Sequence, residues 1–148
     1  MKKIVIFDLD GTLALIDDRR KVSTKPNGKM DWDKFFDPKN IDLDKPNSVV
    51  IKMAQTLKNA GHPIYIFSGR SSVTQSATLD WLIKHKVPFH VIKMRPVKDF
   101  TPDDVLKQNW LNDIGKDNVL CTFDDRNKVV DMWRQNGINC FQVADGNF

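Results

Sequence analysis

Two aspartates, one residue apart, follow an apolar run near the start of the sequence. Asp8 and Asp10 come after KIVIF at residues 3–7, and the two-residue period of a strand directs both side chains to the same side. Carboxylates that share a site raise each other's pKa, so the pair is stable only if a cation is bound or one group holds a proton. Phosphoryl transfer can use both states. One carboxylate attacks phosphorus and binds a hard cation, while the other protonates the leaving oxygen and later activates water.

Three further groups with suitable chemistry follow later in the chain. Ser68 and Gly69 come after the run PIYIF and offer a hydroxyl, a loop amide and close backbone approach to a phosphate oxygen. Lys107 lies in a helical segment, where it can hold a fixed positive charge near a phosphoryl group. Asp124 and Asp125 come after VLCTF, where they can complete the oxygen shell of a cation. Taken singly, these groups can be explained as an ordinary turn, a solvated lysine and a helix cap. Their order along the chain, at successive strand ends, favours one shared site.

The elements that must position these groups alternate along the chain. Five short apolar runs are predicted to be strands, at residues 3–7, 63–67, 88–93, 119–123 and 139–144. Continuous runs of this kind suit a parallel sheet that is covered on both faces. In a doubly wound α/β sheet, ligands bind beyond the carboxyl ends of the strands. Asp8, Ser68 and Asp124 all follow such ends.

Helices are predicted between the strands, together with one insertion. Apolar residues at helical spacing indicate a helix over 49–60 that ends at Gly61, and a capped segment indicates another from about 102 to 115. A third is predicted over 127–136. Residues 14–46 are polar and rich in turn signals, so we expect a small flap there.

Composition excludes several classes of protein. The 148 residues, 41% hydrophobic and 28% charged, fit a single globular domain spanning 1–148 with the flap at about 14–46. The apolar runs are shorter than the roughly 20 residues that cross a bilayer, and no cleavage site follows the first run. We therefore expect a cytoplasmic protein with no membrane partner. Cys121 and Cys140 are predicted to be buried, reduced thiols. The net charge of +4 favours polyanionic partners only if the cations cluster near a site.

The residues with suitable chemistry resemble the four motifs of the haloacid dehalogenase (HAD) superfamily, over nearly the whole chain. The motifs match Asp8-Leu9-Asp10-Gly11-Thr12, Ser68, Lys107 and Asp124-Asp125. The resemblance implies an α/β fold, with a doubly wound, HAD-like (Rossmann-like) parallel sheet and a small flap or cap insertion after the first strand. It also implies a phosphatase whose catalytic residues are Asp8 as nucleophile, Asp10 as general acid and base, Ser68 and Lys107.

The same resemblance implies Mg²⁺ as the cofactor. The ion would be held by Asp8, the carbonyl of Asp10 and the acidic pair Asp124 and Asp125, with Asp125 preferred as the direct ligand. Metal dependence is therefore an expectation of the sequence.

More narrowly, the chain resembles the phosphatase domain of bacteriophage polynucleotide kinase/phosphatase. The similar stretches are FDLDGTLA, SGR at 68–70, DDVLK at 103–107, DDRNKVVDMWRQNGINC at 124–140 and the final FQVADGNF. No GxxxxGK[ST] pattern of a kinase P-loop is present in the sequence. We therefore expect dephosphorylation without phosphorylation.

The narrower resemblance also implies a set of substrate-binding residues. By position, Arg19, Arg70 and Arg95 match arginines that engage substrate phosphates, and Asp103 matches an acidic residue that supports the site. The adjacent Arg20 leaves open which flap arginine reaches the site. Thr12 and Gly69 complete the expected substrate-binding set.

These features favour one activity and leave two alternatives. The small insertion leaves no room for a large cap, so the site should be open to a nucleic-acid end, and guanidinium groups suit phosphate recognition. The favoured activity is removal of a 3′-phosphate from DNA or RNA ends, as in nucleic-acid repair, or from 3′-phosphorylated nucleotides. The first alternative is a small-molecule 5′-nucleotidase. The second, a noncatalytic module that binds nucleic-acid ends, is disfavoured by Asp8, Asp10 and Lys107. Nothing indicates an obligate protein partner.

The tryptophans carry two different expectations. Trp81, Trp110 and Trp133 fall in helical patterns and are predicted to be core residues. Trp32 lies in the flap, where base stacking and simple flap packing are equally good interpretations.

Overall fold

A five-stranded parallel sheet organises the protein, and the computed structural model describes residues 2–148. In chain order the strands are β1 (Ile4–Phe7), β2 (Ala14–Leu15), β3 (Lys45–Pro46), β4 (Ile64–Ser71), β5 (Val91–Arg95), β6 (Val119–Asp124) and β7 (Cys140–Gln142). The main sheet has the order β5-β4-β1-β6-β7, with every neighbouring pair parallel. The first strand in the chain therefore lies at the centre of the sheet.

Six α-helices connect and cover the strands. They are α1 (Asp17–Ser23), α2 (Trp32–Phe35), α3 (Ser48–Asn59), α4 (Gln75–Lys84), α5 (Asp103–Ile114) and α6 (Asn127–Gln135). Short 3₁₀ turns occur at Pro38–Leu43, Ser72–Thr74 and Lys116–Asn118. None of the helices within residues 2–148 is both long and apolar enough to span a bilayer.

The two faces of the sheet bury separate apolar clusters because successive strand residues point to opposite sides. Val5 and Phe7 contribute to one cluster, with residues of α3 and α4 that include Trp81. Ile6 contributes to the other, with residues of α5 and α6 that include Trp133. Both tryptophans are only 1% exposed, as the helical pattern predicts. This layering confirms the predicted α/β architecture.

The predicted strands and helices recur with small shifts at their ends. The helices expected at 49–60, 102–115 and 127–136 are observed at 48–59, 103–114 and 127–135. The largest difference is β4, which continues past the apolar run to Ser71. It does so because Ser68 and Ser71 pair with Met94 and Arg95 of β5 across an irregularity in the ladder.

The segment between the first strand and α3 lies outside the main sheet. Its ends are joined by β2 and β3, which pair antiparallel, with Ala14 opposite Pro46 and Leu15 opposite Lys45. Between them lie α1, α2 and the turn at Pro38–Leu43, and Phe35 and Ile41 bury their side chains in the core. This flap is therefore a folded unit packed on the sheet domain.

Candidate active site

The carboxyl ends of β1, β4 and β6 meet at one edge of the sheet and carry three of the predicted residues. Phe7 of β1 lies opposite both Ile66 of β4 and Phe123 of β6. The next residue, Asp8, donates its backbone N–H to the carbonyl of Phe123 at 2.9 Å. The backbone that carries Asp8 is therefore fixed by the central strand and its neighbour.

The side chain of Asp8 is held on both oxygens. Oδ1 accepts a hydrogen bond from Lys107 Nζ at 2.8 Å, and Oδ2 accepts one from the hydroxyl of Thr12 at 3.0 Å. The residue is only 7% exposed, yet it lines a cleft. A carboxylate fixed in this way is oriented for attack on an electrophile that enters the cleft.

Lys107 places the positive charge at the centre of the site. Helix α5 begins after Pro102, with two acidic residues in its first turn, and it buries Lys107 one turn later. Lys107 Nζ lies 2.8 Å from Asp8 Oδ1 and 3.0 Å from Asp124 Oδ2. Burial alone would lower the pKa of this lysine, but the charges of Asp124 and Asp8 outweigh it and raise the pKa above its usual value. The ammonium therefore stays charged.

The adjacent Asp124 and Asp125 use their oxygens differently. Asp124 Oδ1 accepts the N–H of Asp125 at 2.9 Å, and Oδ2 accepts Lys107 Nζ at 3.0 Å and Trp133 Nε1 at 3.3 Å. Asp125 receives one long contact, from the Thr12 hydroxyl to Oδ1 at 3.5 Å. Asp125 therefore keeps most of its lone pairs for another ligand.

The carboxylates of Asp8, Asp124 and Asp125 form a cluster that fits a hard divalent cation. One oxygen from each lies within 4.8 Å of the others, and the ammonium of Lys107 contacts two of them, Asp8 and Asp124. Burial and the charge of Asp124 raise the pKa of Asp8 well above its usual value, and burial likewise raises the pKa of Asp125. A cation would relieve this excess of negative charge and lower both pKa values. An all-oxygen donor set of this kind suits Mg²⁺.

Gly11 makes room for Asp125. The backbone of Gly11 has φ of +81°, and a Cβ added there would overlap Asp125 Oδ2. A side chain at this position would therefore strain the turn and displace the carboxylate. The glycine of DLDGT serves the cluster as well as the turn.

Asp10 belongs to a second group of charges, next to the first. Its Oδ1 accepts hydrogen bonds from Arg19 Nη2 at 2.8 Å and from Arg70 Nε and Nη2 at 2.9 and 2.6 Å. The same two arginines donate to Asp44, at 2.9 Å from Arg19 Nε and 2.7 Å from Arg70 Nη2. The side chains of Arg19, Arg70 and Asp44 are fully buried. Two guanidinium groups thus neutralise two carboxylates beneath the cleft.

The pKa values of the two acids in this charge group, Asp10 and Asp44, are shifted in opposite directions. Burial raises the pKa of Asp10, but the charges of Arg70 and Arg19 outweigh it and hold the pKa below its usual value. Burial raises the pKa of Asp44 to about 6 despite the same arginines. Asp10 is therefore ionised near neutral pH. Its Oδ2 accepts no hydrogen bond from residues 2–148, and the residue lines the cleft.

Ser68 and Gly69 shape the end of β4. Ser68 is buried, and its Oγ accepts the backbone N–H of Arg70 at 3.1 Å. A Cβ on Gly69 would come within 2.6 Å of Asp103 Oδ1, so the glycine gives space to that carboxylate. Asp103 in turn accepts hydrogen bonds from Arg95, and from Arg126 at 2.8 Å. Gly69 and Asp103 therefore connect β4 to the start of α5.

Most of these groups line one open cleft of about 1450 Å³, whereas four of them lie behind its lining: Thr12, Arg19, Asp44 and Ser68. Its lining includes the carboxylates and Lys107, the flap with Trp32, and the loop between β5 and α5, residues 96–102. Small-molecule sites commonly occupy about 300–1,000 Å³. The cleft is therefore larger than one phosphate group or a mononucleotide requires.

Comparison with known proteins gives the family. The family model described as "Polynucleotide kinase PNKP phosphatase domain" matches residues 2–148. The chain belongs to this family. It is also 34% identical over 136 residues to a protein of Autographa californica nuclear polyhedrosis virus described as "Putative bifunctional polynucleotide kinase/RNA ligase". The alignment covers 89% of this chain and 18% of that relative.

Solved structures agree with membership of the PNKP phosphatase family. A chain of the Pnkp1/Rnl/Hen1 complex superposes with a TM-score of 0.81 at 31% identity, over 100% of this chain and 48% of that one. This chain thus spans less than half the length of either relative. A haloacid dehalogenase-like hydrolase from Streptococcus pneumoniae superposes with a TM-score of 0.70 at 14% identity, over 95% of this chain and 84% of that one. The last match confirms the HAD-like fold that the motifs predict.

In this PNKP phosphatase domain, protein groups hold all three arginines expected at the substrate phosphate, of which Arg70 and Arg95 line the cleft and Arg19 does not. Arg19 and Arg70 direct their donors to Asp10 and Asp44 and have no exposed side-chain surface. Arg95 lines the cleft, but it donates to the carbonyls of Gly69, Asp99 and Thr101 and to the carboxylate of Asp103. A buried guanidinium must satisfy its charge and donors within the protein. These arginines therefore organise the site from beneath and beside it.

The two adjacent flap arginines, Arg19 and Arg20, occupy different positions relative to the cleft of this PNKP phosphatase domain. Arg19 lies with the carboxylates beneath the cleft, whereas Arg20 is exposed and lines the cleft wall. Sequence reasoning missed Asp44, which lies in no recognised motif. The only signal for it is indirect, because two buried arginines beside a single Asp10 require a second carboxylate.

Proposed function

We propose that this chain is a Mg²⁺-dependent phosphomonoesterase that removes 3′-phosphates from nucleic-acid ends or nucleotides through an aspartyl-phosphate on Asp8. The observation that carries the proposal is Asp8 itself. Its two oxygens are held by Lys107 and Thr12, and it lies within a carboxylate cluster at the lining of an open cleft. Membership of the PNKP phosphatase family supports the same activity.

The reaction has two displacements at phosphorus. In the first, an oxygen of Asp8 forms a bond to phosphorus while the bond from phosphorus to the 3′ oxygen breaks, and Asp10 donates a proton to the leaving alkoxide. In the second, Asp10 takes a proton from water, the water oxygen bonds to phosphorus, and the bond to Asp8 breaks. Inorganic phosphate leaves, and both carboxyl groups return to their starting states.

The residues present divide the supporting roles. Lys107 keeps Asp8 oriented and supplies fixed positive charge beside the phosphoryl group. Asp8 and Asp125, with the carbonyl of Asp10, would hold Mg²⁺, which supplies further charge to the phosphoryl oxygens when bound. Asp124 orients Lys107 and contributes the third carboxylate of the cluster. Gly69 lines the cleft in the last part of β4, where its backbone would face the phosphate, and the buried Ser68 supports this segment by accepting the N–H of Arg70.

The low pKa of Asp10 bears on its double role. A carboxylate held ionised by Arg19 and Arg70 is ready to take a proton from water in the second step. A phosphate dianion that enters the cleft adds negative charge beside Asp10 and raises its pKa. Substrate binding thus shifts Asp10 toward the protonated form that the first step needs.

Two observations favour a nucleic-acid end over a small metabolite. The flap is small and leaves the cleft open, with a volume of about 1450 Å³ that exceeds the needs of a mononucleotide. In addition, the relatives by sequence and structure carry descriptions that name polynucleotide kinase and an RNA repair complex. We therefore place single nucleotides second as substrates.

The test compares wild type with Asp8→Asn on matched substrates. Phosphate release is measured from a 3′-phosphorylated oligonucleotide, its 5′-phosphorylated isomer and a 5′-mononucleotide, each with Mg²⁺ and with chelator. We expect wild type to prefer the 3′-phosphorylated oligonucleotide and to need Mg²⁺, and we expect Asp8→Asn to be folded and inactive. Asp131→Asn, an exposed aspartate on α6, is the control.

Each competing interpretation gives its own result. Preference for the 5′-mononucleotide would favour the small-molecule nucleotidase. Oligonucleotide binding by wild type with no phosphate release would indicate the noncatalytic module. Activity in folded Asp8→Asn, or in chelator, would refute the mechanism.

A further inference from the structure

Two large aromatic side chains are exposed on the lining of the catalytic cleft. Trp32 on α2 of the flap is 60% exposed, and Phe100 on the loop between β5 and α5 is 91% exposed. They come from different parts of the chain but line the same cleft as Asp8. These exposed ring surfaces do not contribute to the core, and on the lining of the cleft that holds Asp8 they are available to a ligand.

Trp32 is built as a rigid platform. Its indole stacks on Phe36 with ring centroids 5.8 Å apart and an interplanar angle of 20°, and it contacts Phe35 edge to face at 5.6 Å. Phe35 is buried in the core, and the carboxylate of Asp31 caps the helix by accepting the N–H of Lys34. Flap packing therefore accounts for one side of the indole and leaves more than half of the residue free.

Phe100 is presented by an ordered loop. Arg95 donates hydrogen bonds to the carbonyls of Asp99 and Thr101, and the Asp99 carboxylate accepts the N–H of Thr101 at 2.8 Å. Lys98 has φ of 63°, a left-handed conformation that a lysine adopts at a cost. The loop thus holds an unfavourable backbone and a solvated phenyl ring at the edge of the cleft. Neither feature serves the packing of the domain.

We infer that Trp32 and Phe100 form a base-binding subsite, which stacks nucleobases of a single-stranded end while its terminal phosphate lies at Asp8. The inference rests on the proposed function and defines its substrate as single-stranded, because bases inside a duplex stack on one another, whereas unpaired bases can turn their faces to aromatic rings. Aromatic stacking is tolerant of base identity, since every nucleobase has a π face. The subsite therefore selects for a base near the phosphate and not for a sequence.

The charges of the cleft support stacking as the main source of affinity. Four basic side chains of the lining, Arg70, Arg95, Lys107 and Arg126, are paired with carboxylates, which leaves Arg20 and Lys98 as the lining's basic side chains without a carboxylate partner in residues 2–148. Two phosphate contacts give a salt dependence with a slope of only about −1.4 for single strands. A base-binding subsite compensates for this small electrostatic contribution.

The test measures kcat and KM for a 3′-phosphorylated trinucleotide, for the same compound with abasic sugars, and for p-nitrophenyl phosphate. The variants are Trp32→Ala and Phe100→Ala, with Phe141→Ala as the control because Phe141 is 55% exposed and lies on β7, away from the cleft lining. We expect each cleft variant to raise KM for the trinucleotide about tenfold. Rates on p-nitrophenyl phosphate and on the abasic compound should match those of wild type.

Intrinsic fluorescence gives an independent readout of binding. Trp81 and Trp133 are 1% exposed and Trp110 is half-buried, so Trp32 is the accessible tryptophan. We expect the trinucleotide to quench the fluorescence of Asp8→Asn, and the abasic compound to leave it unchanged.

The outcomes separate this inference from the proposed function. Wild type that hydrolyses neither the trinucleotide nor p-nitrophenyl phosphate would overturn the proposed function. Wild type that hydrolyses both, with unchanged KM in the two cleft variants and no quenching, would overturn the subsite alone. Unchanged KM together with a smaller assembly in sizing experiments on the variants would instead assign the aromatic pair to a protein interface.

Discussion

Replacing Asp125 by asparagine should have opposite effects on stability in chelator and in Mg²⁺. Asp125 forms close like-charge pairs with Asp8 and Asp124, whose oxygens lie within 4.8 Å. Each such pair costs on the order of 3 kcal/mol at an effective dielectric constant of about 20. Lys107 and proton uptake by Asp8 offset part of this cost. Because the Asp125 side chain accepts only one long hydrogen bond from residues 2–148, the asparagine side chain of the variant loses little else.

We therefore expect Asp125→Asn in chelator to raise the free energy of unfolding by about 2 kcal/mol, which corresponds to about 5 °C in Tm for a domain of this size. For wild type, Mg²⁺ at about 100 times its Kd should add about 2.7 kcal/mol. The variant should gain almost none of this. The two proteins would exchange their order of stability between the two conditions.

The assay is thermal unfolding of both proteins in chelator and across a Mg²⁺ series, with Asp131→Asn as the exposed control. A pH series in chelator is a second test of whether the negative charge of the cluster destabilises the fold. The raised pKa values of Asp8 and Asp125 mean that the folded state binds protons more tightly than the unfolded chain, so wild type should lose stability as pH rises above about 4. Asp125→Asn should lose less stability than wild type over the same pH range. A variant that is less stable than wild type in chelator, or that gains the full Mg²⁺ effect, would refute the reasoning.

Three further changes test other parts of the molecule. Asp44→Asn should cost about 3 kcal/mol of stability in thermal unfolding, because it leaves two buried guanidinium groups with one carboxylate. It should also lower kcat in steady-state kinetics, because Arg19 and Arg70 would hold Asp10 less firmly, and an unchanged kcat would contradict a positioning role for Asp44. Asp10→Asn should slow single-turnover cleavage of a nucleotide more than that of an aryl phosphate, whose leaving group needs no proton; equal losses would argue against proton transfer by Asp10. Burial raises the pKa of Cys121 and Cys140 to about 11, so alkylation at pH 8 should label neither in the native protein and both after denaturation.

The sequence was sufficient to locate the carboxylate cluster because its residues follow strand ends. Parallel strands place their carboxyl ends at one edge, so Asp8 and Asp124 were expected at the same edge of the sheet once the strands were identified. Lys107 was predictable for a related reason, since the cap at Pro102 sets the start of α5 and thereby the turn that faces the sheet. Local pattern and global topology agree at these positions.

The partners of the arginine side chains could not be predicted from the sequence. A guanidinium reaches several ångströms from its Cα, so its position in the chain does not determine its partner. Arg19 and Arg70 were expected to face substrate, but Asp44 lies within reach on the flap and binds both. Likewise, the loop that exposes Phe100 depends on three backbone acceptors for Arg95, which no residue pattern encodes.

The central place of β1 in the sheet also governs how the protein matures. The central strand β1 needs β4 on one side and β6 on the other, both of which come later in the chain, and 99 positions separate Asp8 from the Lys107 that hydrogen-bonds to it. Pairings over such distances form late in folding, since loop closure precedes them. A chain synthesised only as far as residue 100 has Asp8 and Asp10 but neither the lysine nor the acidic pair. The carboxylate of Asp8 therefore gains its bond to Lys107 only after α5 has packed on the sheet, and it gains the neighbouring acidic pair only when β6 pairs with β1.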